Sequence, residues 1–179
     1  LEVEGIADGR FQIASLQDQT TLTGSLHVEG LEINDFPIGE VDLSAAMEER
    51  DLRLNLENFF NEQKKIAIDG TIDLDSKNLD FDAKLTEANL VIFEPFLSKY
   101  ISNLGGTLTG NLQLQGNLEK PELLGTARVN QGKFRVNYMN TSYQLDGSLL
   151  SQPTQVSFQD LALRDLNGNR ATFTGGINH

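Results

Sequence analysis

The chain has no cysteine and no tryptophan, and only two histidines. Without cysteine there is no disulfide, no thiolate metal site and no cysteine nucleophile, an absence compatible with an oxidising compartment. Basic residues are scarce as well, with 14 Lys and Arg against 26 Asp and Glu for a formal net charge of −12. Nucleic-acid binding takes most of its affinity from phosphate neutralisation, and docking on anionic lipid headgroups requires basic clusters, so the balance argues against both. An apolar ligand or another protein stays open. No apolar run approaches the ~20 residues of a membrane span, and no signal peptide is visible. The chain opens at Leu1-Glu2-Val3-Glu4-Gly5 and stops at Gly176-Ile177-Asn178-His179, inside a strand pattern at both ends. The expectation is a segment of a longer protein, with any anchor or export signal outside it. Its 179 residues suffice for one large or two small domains with a real core.

What is present is alternation. Leu52, Leu54 and Leu56 alternate with Arg53 and Asn55, and Ile66, Ile68, Ile72 and Leu74 with Ala67, Asp69, Thr71 and Asp73. The same holds for Phe81, Ala83 and Leu85, for Leu108, Leu112 and Leu114, and for Phe134, Val136 and Tyr138. A period of two puts the apolar set on one face and the polar set on the other, as in antiparallel sheets wet on one side. Turn residues fall between these runs at Asp75-Ser76-Lys77-Asn78, Asn130-Gln131-Gly132 and Asn167-Gly168.

One segment breaks the period. Phe93, Phe96, Leu97, Tyr100, Ile101 and Leu104 recur at helical spacing, with Pro95 for a first turn and Gly105-Gly106 for a stop. This spacing predicts an amphipathic helix over 93–104, either a lid on one end or edge of the sheet or a gate over an apolar groove.

Thr21-Leu22-Thr23-Gly24-Ser25-Leu26-His27-Val28-Glu29-Gly30 is repeated, with changes, as Thr107-Leu108-Thr109-Gly110-Asn111-Leu112-Gln113-Leu114-Gln115-Gly116. A looser form recurs around Gly70, Gly147 and Gly175 at irregular spacing, so the repeat is a strand recipe and not a solenoid. Gly24, Gly70 and Gly110 lie in phase with the apolar residues. A glycine inside a strand packs nothing and costs about 0.5–1 kcal/mol relative to alanine. Three reasons are open: sharp coiling of the sheet, close approach of another group, or room for a bulky residue from an opposed sheet.

Polar candidates are thin. Asp73 with Asp75, and Asp80 with Asp82, sit at i, i+2 around one turn, where Ca²⁺ is conceivable, but a solvated outer face explains them better. Asp165-Leu166-Asn167-Gly168-Asn169 begins like a calcium loop, yet Arg170 stands where that loop has its glycine. His27 and His179 are each isolated from any ligand or nucleophile pattern. Asn58-Phe59-Phe60-Asn61 reads as a strand connection tucked onto the core, or as an apolar knuckle for a membrane or partner. No catalytic motif is present, no cofactor or metal is implied, and the expectation is a protein that is not an enzyme.

From Gly106 to Gly116 the chain runs G-x-L-x-G-x-L-x-L-x-G. Pro121, Leu123-Leu124-Gly125-Thr126-Ala127, Gly132-Lys133-Phe134-Arg135-Val136 and Tyr143-Gln144-Leu145-Asp146-Gly147 follow. This ordered series, over about residues 104–179, resembles the C-terminal region of the TamB family (translocation and assembly module), within the AsmA-like group. The resemblance implies an all-β fold: an elongated, strongly curved, mainly antiparallel sheet forming an open apolar groove, a β-taco. It implies a β-groove segment over 1–92, the helix at 93–104 and a second β-groove segment over 105–179. It further implies the periplasm of a Gram-negative bacterium, an inner-membrane anchor on the full-length protein, and transport of phospholipid toward the outer membrane. Partners would be a phospholipid or other acyl-chain ligand and an outer-membrane assembly barrel protein, with no nucleic acid. In that reading Leu54, Ile68, Ile72, Leu74, Leu108, Leu112, Leu114, Phe134, Val136 and Tyr138 line the groove, and Gly24, Gly70 and Gly110 let the sheet curl. An acyl chain returned to water loses about 0.8 kcal/mol per CH₂, so transfer needs a continuous apolar path. The competing reading is a structural scaffold whose strand edges dock an assembly factor. A carbohydrate-binding sandwich is weakly supported, with three Tyr and no Trp.

Overall fold

The computed structural model describes residues 2–16 and 19–178; His179 lies outside the described residues. The chain is all-β apart from one short helical segment. Eleven strands follow in order: β1 Val3–Leu16, β2 Gln19–Ile33, β3 Phe36–Glu48, β4 Asp51–Phe60, β5 Gln63–Asp73, β6 Asn78–Asn89, β7 Ile101–Asn117, β8 Lys120–Val136, β9 Thr141–Gln152, β10 Gln155–Asp165 and β11 Arg170–Asn178. Each hydrogen-bonds its neighbours in sequence, so that β1 and β11 are the two ends of an antiparallel sheet that does not close into a barrel. Two-residue turns with positive φ make several of these reversals, at Asn34-Asp35 (φ 51 and 64) and Asn61-Glu62 (φ 51 and 62). That geometry matches the right-handed twist of hairpin strands.

The chain divides into two compact units. One comprises Glu2–Lys84 and Leu112–Leu123, and its buried apolar residues are Ile33, Ile38, Ile66 and Leu79. Asn58 is buried among its strands, with Nδ2 donating to the carbonyls of Ile38 and Glu40, both at 3.0 Å. The other comprises Leu85–Asn111 and the chain from Leu124, and buries Leu85, Ala88, Val91, Leu104, Leu108, Ala127 and Val129.

Several local expectations are corrected. The helix expected over 93–104 is a 3₁₀ turn at Leu90–Phe93 and a single α turn, α1, at Glu94–Leu97. From Ile101 the chain is strand β7. One turn of helix is marginal by itself, and the following backbone has better partners. The Tyr100 carbonyl accepts the Asn137 N–H at 3.0 Å, and the Leu104 N–H donates to the Glu94 carboxylate at 2.9 Å. The fully buried side chain of this segment is Val91, while Phe96 is exposed. Asn130-Gln131-Gly132 is no turn but a β-bulge within β8, where three steps along β8 match two along β9. The Gln131 N–H donates to Asp146 Oδ1 at 2.7 Å. Phe59 and Phe60 end strand β4 and are half-buried; the connection is Asn61-Glu62. Tyr138 does not continue the alternation of Phe134 and Val136, because β8 ends at Val136 and residues 137–140 form the turn.

The in-phase glycines have a steric cause within the sheet. A Cβ on Gly24 would overlap the Phe11 ring of β1, and one on Gly70 would overlap the Asp80 carbonyl and the Phe81 ring of β6. At Gly110 the obstacle is the β8 backbone, with the Ala127 Cα 2.8 Å from the position of that Cβ. The occupant of each vacancy is the adjacent strand. Gly70→Ala therefore forces main chain apart and should cost about 1–3 kcal/mol in urea unfolding. Gly105, where a Cβ meets nothing within 4 Å, should accept alanine within about 0.5 kcal/mol.

Candidate functional site

Register builds one apolar face in the unit containing β1–β5. Directly opposed residues share a face. Ile13, Leu22, Met47, Leu52 and Ile72 form one cross-strand row, and Phe11, Gly24, Ala45, Leu54 and Gly70 the next. Gly9, Leu26, Leu43, Leu56 and Ile68 form a third. The other face carries Arg10, Ser25, Ser44, Asn55 and Asp69, and beside them Asp8, His27, Asp42 and Glu57. Five strands thus keep the large apolar side chains on one face and the charged ones on the other, with the buried Asn58 the polar exception on the apolar side.

The second unit repeats the pattern. Gly132, Leu145, Leu163 and Ala171 make one row, and Ala127, Leu149, Phe158 and Gly175 another. Alongside them the Phe134 and Tyr143 rings stack at 5.8 Å.

Of the ten residues expected to line a groove, Leu54, Ile68, Ile72, Leu112, Leu114, Phe134 and Val136 are strand residues that stay half-buried. Leu108 is buried in its unit's core. Leu74 lies one residue beyond β5 and is exposed, and Tyr138 is in a turn and almost fully exposed. The structure adds Phe11, Leu22, Leu26, Leu43 and Met47 to the face. Their signal in the sequence was the pairing of β1–β3 with the clearer β4 and β5. It was masked because Gly9, Gly24 and Ala45 interrupt the large apolar residues on the same face of β1, β2 and β3.

No group of three or more His, Asp or Glu among the described residues could hold a metal ion. Asp73 accepts the N–H groups of Asp75 and Ser76 at 2.8 and 3.0 Å, capping its own turn. These hydrogen bonds from Ser76 hold its pKa below the ordinary carboxylate value. Asp165 does the same for Asn167 and Asn169, and Asn169 Nδ2 also donates to it at 2.7 Å, lowering its pKa. Asp73 and Asp165 are thus turn caps, while Asp80 and Asp82 stand on strand β6.

His27 Nδ1 lies 2.6 Å from Asp42 Oδ1, directly across the β2–β3 ladder, and that hydrogen bond raises its pKa, with Glu29 and Glu40 adding to it. A raised folded-state pKa contributes stability below the ordinary histidine value that is lost as pH rises through the raised one. An NMR titration should find His27 above its ordinary pKa and returned toward it in Asp42→Asn. For Asp73 and Asp165 the sign is opposite: their contribution holds above the ordinary aspartate pKa and fades as pH falls through the lowered one. Asp73→Ala should accordingly flatten the acid limb of the stability curve.

No curated protein and no solved structure matches the chain. A family model described as "TamB, N-terminal domain" matches residues 34–129, more than half of the chain. It overlaps the stretch that carried the resemblance only from about residue 104 to 129, and it is the N-terminal domain, where the sequence resembled the C-terminal region. TamB proteins are non-enzymatic components of envelope transport and assembly. With an open antiparallel sheet, a one-sided apolar face and this match over more than half of its length, the chain belongs to the TamB family.

Proposed function

We propose that the apolar sheet face shields phospholipid acyl chains during their passage between envelope membranes. The observation that carries this reading is the half-exposed state of the apolar rows. Leu54, Ile68 and Ile72 are aligned by the ladder, and they, like Leu112 and Leu114 of β7, remain open to contact. A dry core would bury them. Hydrocarbon chains need no directional partner, so a surface of Leu, Ile, Val and Phe can hold a chain and let it slide without breaking hydrogen bonds. Holding it also offsets the cost, about 0.8 kcal/mol per CH₂, of leaving a bilayer. The family supports a periplasmic setting, with the full-length protein anchored in the inner membrane and working beside an outer-membrane assembly partner.

The partner-scaffold reading has one observation of its own: β1 is an end strand, and its Phe11 and Ile13 are exposed. Such an edge can take a strand from another protein.

A photo-crosslinking residue in place of Leu54, Ile72 or Leu112 should capture phospholipid, detected by mass spectrometry, while the same residue at Arg53 on the polar face should not. Equal capture from both faces, or from neither, overturns lipid shielding. Leu112→Glu should remove most co-purifying lipid and leave capture of a protein partner intact. Loss of the partner alone would favour the scaffold.

A further inference from the structure

The unit containing β8–β11 has an unusual end. The segment leading into β7, the β8–β9 turn and the β10–β11 turn all lie at one end of its antiparallel strands. The first two are tied together: the Asn137 N–H donates to the Tyr100 carbonyl at 3.0 Å, and Asn137 Nδ2 to the Ser98 carbonyl at 2.9 Å. From these connections project Tyr138 (98% exposed), Phe96 (82%), Leu166 (79%), Tyr100 (64%) and Met139 (54%). The β9–β10 turn at the opposite end is Pro153-Thr154, without a large apolar side chain.

Basic side chains gather at the same end. Lys133, Gln144, Arg164 and Arg170 are successive partners in one cross-strand row on the polar face, with Arg164 directly opposite Arg170. Arg135, two residues beyond Lys133, hydrogen-bonds Asn140 of the turn, and Lys99 lies 5.4 Å from the centre of the Tyr100 ring. Like charges facing each other across a ladder are unfavourable unless an anion relieves them. The acids nearby are already engaged: Glu94 by the Leu104 N–H, Asp146, two residues along β9 from Gln144, by the Gln131 N–H, and Asp165, on the opposite face, by its own turn. In a chain with 26 Asp and Glu, residues 95–118 and 123–145 contain neither.

We propose that this end docks on an anionic lipid bilayer surface, with the aromatic and aliphatic tips in the interfacial layer and Lys99, Lys133, Arg135, Arg164 and Arg170 at the lipid phosphates. Tyrosine belongs at such a boundary because its ring is apolar and its hydroxyl wet. Long basic stems reach back to the headgroups while their methylenes lie on apolar surface. Side chains projecting from narrow turns suit a deformable interface better than a rigid partner, which needs on the order of 1,000 Å² of matched surface. Charge complementarity selects an anionic bilayer over a neutral one. This surface is distinct from the acyl-binding face, and one can fail without the other.

Vesicle flotation of the 179-residue chain tests it, using phosphatidylcholine alone and phosphatidylcholine mixed with phosphatidylglycerol. The chain should float with the mixed vesicles, bind the neutral ones far less, and be released by raised salt. Lys133→Gln with Arg164→Gln and Arg170→Gln should weaken binding to mixed vesicles by roughly tenfold or more. Phe96→Ser with Tyr138→Ser, two exposed positions whose substitution should leave the circular-dichroism spectrum unchanged, should weaken it comparably. Equal flotation with both vesicle types, unchanged binding by either variant set, or no flotation by folded protein overturns the proposal. Capture of a protein at this end without flotation does so as well.

Discussion

The cross-strand hydrogen-bond ladder is the constraint on which the molecule depends. It fixes register, and register decides which side chains stand beside each other. Because the side-chain period is two, a slip by one residue would turn every apolar side chain of a strand to the wet face. Across β1–β5 the register is unbroken from Ile6 to Leu16 of β1, Leu22 to Val28 of β2, Glu40 to Glu48 of β3 and Asp51 to Asn58 of β4, and the irregularities at Glu4/Ile6, Val28/Leu31 and Asn58/Phe59 fall outside that stretch. A protein with few fully buried side chains is therefore held by many in-register strand pairs, and the same pairs lay out its apolar face.

The glycines are a consequence of that ladder. Phe11 of β1 lies over Gly24, and Phe81 of β6 over Gly70, each ring covering a position where a side chain would otherwise stand. The ring supplies apolar surface to the row that the glycine omits, so the face stays continuous while adjacent strands draw close. Glycine and aromatic act as a cross-strand pair. Neither residue's place can be understood along its own strand alone.

Charge follows a different logic from hydrophobicity in this chain. The acids are spread over polar faces and turn caps, as Asp73 and Asp165 illustrate. The bases of β8, β10 and β11 converge through register, though they are distant in sequence. A net charge of −12 accordingly coexists with a local cationic row. The overall balance describes the molecule at long range, and a docking surface feels what lies within about a Debye length, roughly 10 Å.

The sequence by itself determined the all-β class, the one-sided alternation of β4, β5 and β7, the family, and the in-phase position of the glycines. All of these are written in periods and motifs of a few residues. It misled where a local pattern had two physical solutions. Phe93 to Leu104 fits a helical stripe, but hydrogen bonds to Asn137 and Glu94 made strand the better use of Ile101 to Leu104. Asn130-Gln131-Gly132 fits a turn, but a bulge anchored on Asp146 kept β8 going. Only the tertiary structure decided which rows of different strands meet, what fills the space above Gly24 and Gly70, and that Lys133, Arg164 and Arg170 stand together. The reason is that alternation fixes the face a residue occupies along its own strand, whereas its neighbours on that face come from the register of strands far away in the chain.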